Sequence, residues 1–421
     1  MVRFLLIALV VCFKLSLADE ASLLTNPLDS LGTRVGSIRS AENEIFLNTF
    51  IWTEGKISRM MVRELAAALK KGIKVKLVLD ALMLHQTSPG AREQISYLRE
   101  LGAEVRVYNG FNWRNWANVI RPWKLAERAH DKIQLVDGKE IITGGRNLWD
   151  TAYELGEDKS TDIELLVRGE KSGKEVSDYA EKFWEVSHPW WALKSLSPED
   201  FERIDKQFTG PDKELEVLYG SRGFKRGLTP ELVDVGDEIR FLWDRRATKE
   251  KGPNHIEHLR EWFSQFKPNS EVKFASPWFI LSPEMKKAFT PLIEKSIRVQ
   301  TILNSVENAE FFESFIAFME HSWPYLVAND NMEAVLWEGK RRFHFKVMTD
   351  GDESYVGTYN FGFQSDRRNS ETGFIIRSKE IAKQIEDKLN IYSLKATDLQ
   401  SLDTEALNCA SAMSKIKANF Y

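Results

Sequence analysis

Two short stretches of this chain place an ammonium two residues after an imidazole. The first runs His130-Asp131-Lys132-Ile133-Gln134-Leu135-Val136-Asp137 and is followed by Ile141-Ile142-Thr143-Gly144-Gly145-Arg146-Asn147. The second runs His344-Phe345-Lys346-Val347-Met348-Thr349-Asp350 and is followed by Tyr355-Val356-Gly357-Thr358-Tyr359-Asn360. An imidazole can attack an electrophile or hand over a proton, and a fixed ammonium stabilises negative charge as it develops. At usages near about 6%, meeting Lys, Asp, Gly and Asn at fixed offsets from one His has a probability of roughly 10⁻⁵. Its recurrence rules out coincidence.

Residues two apart on a strand face one side, so a strand through the first motif aligns His130, Lys132 and Gln134 and turns Ile133 and Leu135 the other way. Asp137 and Asp350 complete the motif and are counted with its catalytic set. Asp137 nevertheless stands at an odd offset from His130, which on a straight strand turns its carboxylate away and gives it a structural reading. One residue fewer in the second copy puts Asp350 at an even offset from His344.

The elements that must position these groups also occur twice. Ile45–Trp52 reads as an apolar strand, Ser58–Lys71 as a helix with Met60, Met61, Leu65, Ala68 and Leu69 at helical spacing, and Val75–Leu79 as a buried strand. The same order returns about 225 residues later, as a strand at Val272–Leu281 interrupted by Pro277, a helix at Pro283–Lys295 and a strand at Val299–Leu303. Further strands fall at Glu104–Tyr108 and Glu333–Trp337. This alternation predicts an α/β fold made of two fused copies of a mixed sheet flanked by helices and related by a pseudo-two-fold axis. The polar, Gly- and Pro-containing stretch from Phe208 to Asp237 is the expected junction. The expected division is residues 1–18 as a signal peptide, 19–208 as the first half and 209–421 as the second.

Taken together, the two motifs resemble the duplicated HxK motif of the phospholipase D superfamily, and the resemblance covers nearly the whole chain. The ending Gly144-Gly145-Arg146-Asn147 is most similar to the secreted, cardiolipin-synthase-like bacterial branch. The resemblance implies one shared active site between the halves and a covalent phosphohistidine, with no metal or cofactor. One histidine attacks phosphorus in line and the other protonates the departing alkoxide. The first-half histidine is the nucleophile in some members, which makes His130 the nucleophile and His344 the acid. Lys132, Lys346, Asn147 and Asn360 would hold the non-bridging oxygens. Gly144, Gly145 and Gly357 would let backbone approach the phosphate, with Thr358 adding a hydroxyl donor. A downstream acidic residue on a neighbouring strand holds the other nitrogen of the imidazole, and Asp162 and Glu371 occupy those places. Beyond Asn360 the chain carries Gly362 and Gln364 where that branch commonly has an Asp and an Arg. His255 and His258, three apart on a helix, read as a solvated face because no third metal ligand is visible.

The segment before the first motif carries Phe111, Trp113, Arg114, Trp116, Arg121, Trp123 and Lys124. One reading is a loop that sets indoles at the headgroup level of a bilayer and draws anionic lipid with its cations. The rival stacks nucleic-acid bases on Trp113, Trp116 and Trp123 while Arg114 and Arg121 track the backbone. A second basic cluster, Lys340-Arg341-Arg342, precedes His344 and suits any phosphodiester. The aromatic loop, the overall charge and the Gly-Gly-Arg-Asn likeness favour phospholipid or a membrane surface as partner. A phosphohistidine opened by water gives a phospholipase D, and one opened by an alcohol gives a phosphatidyltransferase. A secreted nuclease of the same superfamily is the alternative.

The composition fits these expectations. Of 421 residues 43% are hydrophobic and 29% charged, which excludes a disordered, collagen-like or multi-spanning chain. With 58 basic against 62 acidic residues the net charge is −4, which argues against a generic nucleic-acid coat. Arg3, the apolar run Phe4–Phe13 and Ser16-Leu17-Ala18 read as a secretory signal, so a secreted or periplasmic location is expected. Cleavage after Ala18 would leave Cys409 as the only cysteine, without an intrachain disulfide or a Cys₄ metal site.

Overall fold

Central strands of each half read as nearly continuous apolar runs because both of their faces are covered. In Glu44–Thr49, Ile45 and Leu47 enter one core while Phe46 enters another. In Arg298–Asn304, Val299 and Leu303 divide from Ile302 in the same way. Helices must then lie on both sides of each sheet. The computed structural model describes residues 18–109, 127–156, 158–190, 193–305, 308, 312–394 and 396–398. The signal sequence apart from Ala18 and the aromatic segment with Trp113, Arg114, Trp116, Arg121 and Trp123 lie outside the described residues.

Among those residues there are two large mixed sheets. The first has nine strands, in spatial order His188–Pro189, Glu104–Tyr108, Lys74–Asp80, Glu44–Thr49, Ile133–Val136, Glu140–Gly144, Glu164–Arg168, Asp19–Leu24 and Val233–Gly236. The second has eight, in the order Ile239–Trp243, Thr372–Arg377, Glu353–Gly357, Val347–Thr349, Glu271–Ala275, Arg298–Asn304, Met332–Trp337 and Ala396–Asp398. Within each, a parallel run of strand–helix–strand units meets an antiparallel hairpin that follows the motif histidine. The Val272–Leu281 strand stops at Ala275, before Pro277, because proline cannot donate to the ladder.

The first sheet continues past residue 208. Ile204, Phe208, Leu215, Leu218 and Phe224 fill the outer core of the first half, and Val233–Gly236 pairs with Asp19–Leu24. The chain therefore passes between sheets at Asp237–Glu238 rather than at 208/209.

The inner faces of the two sheets share one core. Ile133, Leu135, Ile141 and Leu165 of the first half meet Ala275, Val347, Val356 and Phe374 of the second. Helices Glu170–Val186 and Lys379–Ser393 complete this layer with Val176, Phe183, Ile385 and Leu389. Two short parallel pairings stitch the halves together. Arg128–Ala129 runs beside Asn369–Ser370, and Arg342–Phe343 runs beside Ser160–Thr161. Among the described residues no helix is long and apolar enough to cross a membrane.

Candidate active site

The two stitches set the two histidines. Ala129 donates its N–H to the Asp80 carboxylate (2.9 Å) at the end of the strand Lys74–Asp80, which pins the backbone just before His130. In the second half Asn304, at the end of Arg298–Asn304, both accepts from Phe343 N–H (3.0 Å) and donates to its carbonyl (2.9 Å). The His344 N–H then donates to Thr161 O at 2.8 Å. The regular ladder resumes only at Ile133 and Val347, so His130, Lys132, His344 and Lys346 sit on extended connections and not on the strands themselves. The strand alternation expected through His130 is thereby broken. Gln134 is fully buried and is bonded through both ends of its amide to Arg34 of the helix Pro27–Ser40.

Each imidazole is held by the carboxylate of the other half. His130 Nδ1 lies 2.9 and 3.0 Å from the two oxygens of Glu371, and His344 Nδ1 lies 2.9 Å from Asp162 Oδ2. The downstream acids are thus partners across the seam, an arrangement that leaves each half incomplete alone. Glu371 also accepts from Thr358 Oγ1 (2.5 Å), Ser365 Oγ (2.5 Å) and Asn369 Nδ2 (3.3 Å). Lys132 Nζ donates to the His130 carbonyl at 2.6 Å, and Lys346 Nζ reaches the His344 carbonyl and ring. Both lysines are buried, together with Asp162 and Glu371.

The two sides differ electrically. Burial, reinforced by the charges of Lys132, Lys346 and His344, drives the His130 pKa well below the ordinary imidazole value. Burial also pushes Glu371 up, and burial together with Lys346 brings Lys132 down. Asp162 goes the other way. Despite the upward pull of burial, His344 and Lys346 hold its carboxyl below the usual range. Asp162 is therefore held charged beside His344, whereas His130 is held neutral. A neutral imidazole, a protonatable one and two ammonium groups in one buried site suit transfer at a negatively charged phosphodiester.

A family model described as cardiolipin synthase, PLD-like domain, matches residues 35–185 and 264–392, one match in each half. This chain belongs to the cardiolipin-synthase-like branch of the phospholipase D superfamily. It is 23% identical over 407 residues to cardiolipin synthase C of Escherichia coli K12, covering 87% of this chain and 83% of that one. It is 30% identical over 379 residues to cardiolipin synthase B of Shigella flexneri, covering 88% and 79%. The fold is similar to the crystal structure of phosphatidylserine synthase from Haemophilus influenzae Rd KW20, with a TM-score of 0.67, 13% identity, and coverage of 95% and 92%.

In this phospholipase D family member several motif residues stand elsewhere than expected. Asp137 adopts a positive φ of 51° in the hairpin turn and accepts from the N–H groups of Glu42, Asn43 and Glu44 at 2.8 to 2.9 Å. Asp350 accepts from Asp352 N–H (3.0 Å) and Glu353 N–H (2.7 Å) in the matching turn. Both shape turns at the end of the strand remote from the histidines, so neither joins the catalytic set. Thr358 Oγ1 is occupied by Glu371 and cannot be a phosphate donor as well. The glycines make room for close packing of protein groups. A Cβ on Gly145 would lie 2.0 Å from Asp162 Oδ1, one on Gly144 2.5 Å from Ile163 O, and one on Gly357 2.2 Å from the Tyr355 hydroxyl. His255 is in the core, stacked on Tyr359 and bonded to the Tyr355 hydroxyl at 2.9 Å, not on a solvated face.

Asn147 and Asn360 remain. Asn147 Oδ1 accepts from Ile51 N–H at 3.1 Å, which fixes the amide and leaves its nitrogen as the free end. The backbone of Asn360 is clamped by Ser276 Oγ and Ser365 Oγ, and its Oδ1 is buried without a hydrogen-bond partner among the described residues.

Sequence reasoning passed over several supporting groups. Phe50 packs edge-on against His130 with centroids 5.0 Å apart. Arg146 donates to the carbonyls of Leu24, Ala152 and Asp162 and so anchors the His344 partner. Ser365 and Asn369 precede Glu371 within seven residues of sequence (365 to 371), and that clustering of short polar side chains beside an acid was the available signal.

Proposed function

We propose that the protein is a phosphatidyltransferase that moves a phosphatidyl group between phospholipid alcohols through a phosphohistidine on His130. The crossed carboxylate pairing carries this reading, because it builds one site with two unlike imidazoles from the two halves. The Nε2 of neutral His130 attacks phosphorus, and the bond from phosphorus to the departing alkoxide breaks as His344 gives that oxygen its proton. In the second step His344 takes the proton of the acceptor hydroxyl, whose oxygen attacks phosphorus and displaces His130. Lys132, Lys346 and the amides of Asn147 and Asn360 hold the non-bridging oxygens. Glu371 and Asp162 hold Nδ1 of each ring, which presents Nε2 to phosphorus and to the leaving oxygen.

The names of the relatives, two cardiolipin synthases, support phospholipid as substrate and a lipid alcohol as acceptor. Export to the periplasm or beyond, with peripheral contact at the membrane, accompanies this reading and rests on the signal-like residues 1–18. The test is mass spectrometry of products formed by the purified protein on mixed phosphatidylglycerol and phosphatidylethanolamine vesicles, with His130→Ala as control. Cardiolipin absent from the control is the expected product. Phosphatidic acid alone would make water the acceptor, and unchanged lipid with cleaved nucleic acid would replace this reading by the nuclease one.

A further inference from the structure

The two copies provide an internal comparison at the far side of the stitch that carries His344. A cavity of about 680 Å³ opens there, lined by Thr25, Trp337, Lys340, Arg341, Lys388 and Tyr392. Its one carboxylate among the described residues, Glu154, is already engaged by Arg341 and by the Thr161 hydroxyl. Lys388 is half-buried and has no carboxylate or hydrogen-bond acceptor among the described residues. Its only contact of note is the face of Tyr392, 6.0 Å away. Burial holds its pKa below the ordinary lysine value against the upward pull of the Glu154 carboxylate across the cavity.

The equivalent place in the first half is filled. Lys388 is the tenth residue of the helix Lys379–Ser393, and the tenth residue of Glu170–Val186 is Tyr179. Tyr179 packs against Phe183, Phe241 and Trp243, and its hydroxyl donates to Asp131 at 2.9 Å. The fourteenth residues, Phe183 and Tyr392, both pack on an aromatic ring of the adjoining strand, Phe183 stacked on Tyr108 and Tyr392 tilted against Trp337, with centroids 5.0 and 4.6 Å apart. The frames match, yet one copy holds a plug and the other a lysine that is hydrogen-bonded to none of the described residues, beside an open cavity. The second motif has Phe345 where the first has Asp131, so a tyrosine at 388 would also find no carboxylate there.

We propose that this cavity seats the phosphate of an anionic phospholipid other than the molecule undergoing cleavage, with Lys388 as its central contact. Lys340 adds positive charge at the mouth, and Arg341 neutralises Glu154 there. Ile391 at the rim is 52% exposed and Leu394, one turn on, is 86% exposed, which suits an occupant with acyl chains better than a free anion. The proposal rests on the phospholipid reading of the active site and adds a second lipid position to it.

The experiment compares wild type, Lys388→Gln and Lys388→Tyr, the last introducing the residue of the first copy. Sedimentation with phosphatidylcholine vesicles containing phosphatidylglycerol should show binding weakened roughly fivefold in both variants, near the value of one interfacial cation. Turnover of water-soluble, short-chain phosphatidylglycerol should keep its kcat and KM, and the melting temperature should hold. His130→Ala should bind vesicles like wild type, so the binding result stands even if no lipid is turned over. Wild-type binding by both variants would overturn the proposal. So would equal weakening on pure phosphatidylcholine, or a melting shift by inorganic phosphate or an oligonucleotide that Lys388→Gln removes while vesicle binding persists.

Discussion

His130 is hydrogen-bonded through Nδ1 to Glu371, 241 positions along the chain and in the other half, at 2.9 Å. His344 and Asp162 repeat the relationship in reverse. The imidazole orientation is therefore decided by how the two halves dock. Glu371→Gln and Asp162→Asn should each lower kcat by about 10²–10⁴ with little change in KM, as when a ring loses the carboxylate that fixes its tautomer. Steady-state kinetics on phosphatidylglycerol would measure this. A loss below threefold in either variant would remove the orienting role.

The roles of the two histidines separate by leaving group. With an alkyl phosphodiester His130→Ala and His344→Ala should both be inactive, and independent half-activity in either would sink the single-site arrangement. A p-nitrophenyl diester needs no proton to depart. On it His344→Ala should recover about 10²–10⁴ relative to the alkyl substrate, and His130→Ala should not. Recovery in His130→Ala instead would exchange the assignments.

Asp131 gives the fold a pH dependence. It accepts from Tyr179 and from the Ser370 hydroxyl across the seam, while its other oxygen is buried without a partner among the described residues. Burial raises its pKa from the usual 3.8 to about 7. Between those values the folded chain binds a proton that the unfolded chain has released, so stability falls as pH rises through this window. The full contribution is present below the unfolded value and is lost as pH passes the folded one. Asp131→Asn should flatten the dependence, with a difference approaching about 4 kcal/mol at most across the window. Urea unfolding of both proteins at pH 5 and pH 8 would reveal it, and parallel curves would discount the effect.

Gly145 is a steric requirement of the His344 side. A methyl group there would meet the Asp162 carboxylate at 2.0 Å. Gly145→Ala should cost about 1–3 kcal/mol of stability from overpacking and should lose activity as Asp162→Asn does. Thermal unfolding with parallel kinetics is the check. Wild-type activity in Gly145→Ala would show that the carboxylate can move without consequence.

Asp137 tests the opposite expectation. Three backbone N–H groups converge on its carboxylate, far from the imidazoles. Asp137→Asn should retain kcat within about threefold and lose about 1–2 kcal/mol of stability, the scale of lost charge-assisted hydrogen bonds. A hundredfold loss of kcat in a well-folded Asp137→Asn would return it to the catalytic set.

By itself the sequence determined the duplication, the α/β character and the pair of His-Lys groups. Each is local: a motif spacing, or an apolar alternation that one strand or helix must satisfy to be buried. The expected strands Glu104–Tyr108 and Glu333–Trp337 and the helix near Pro283 lie within a residue or so of the observed ones for the same reason. Tertiary structure alone decided which carboxylate serves which histidine, because both candidate acids stand at comparable places in sequence and only the packing of one sheet on the other selects the crossed pairs. It also moved Thr358 from substrate donor to Glu371 support, and His255 from a helix face into the core, since a side chain's partner across the fold leaves no trace in its own neighbourhood. The plug at Tyr179 and the open cavity at Lys388 have the same origin. Two helices of one pattern were given different neighbours, and the physical difference is whether a buried polar group finds its partner.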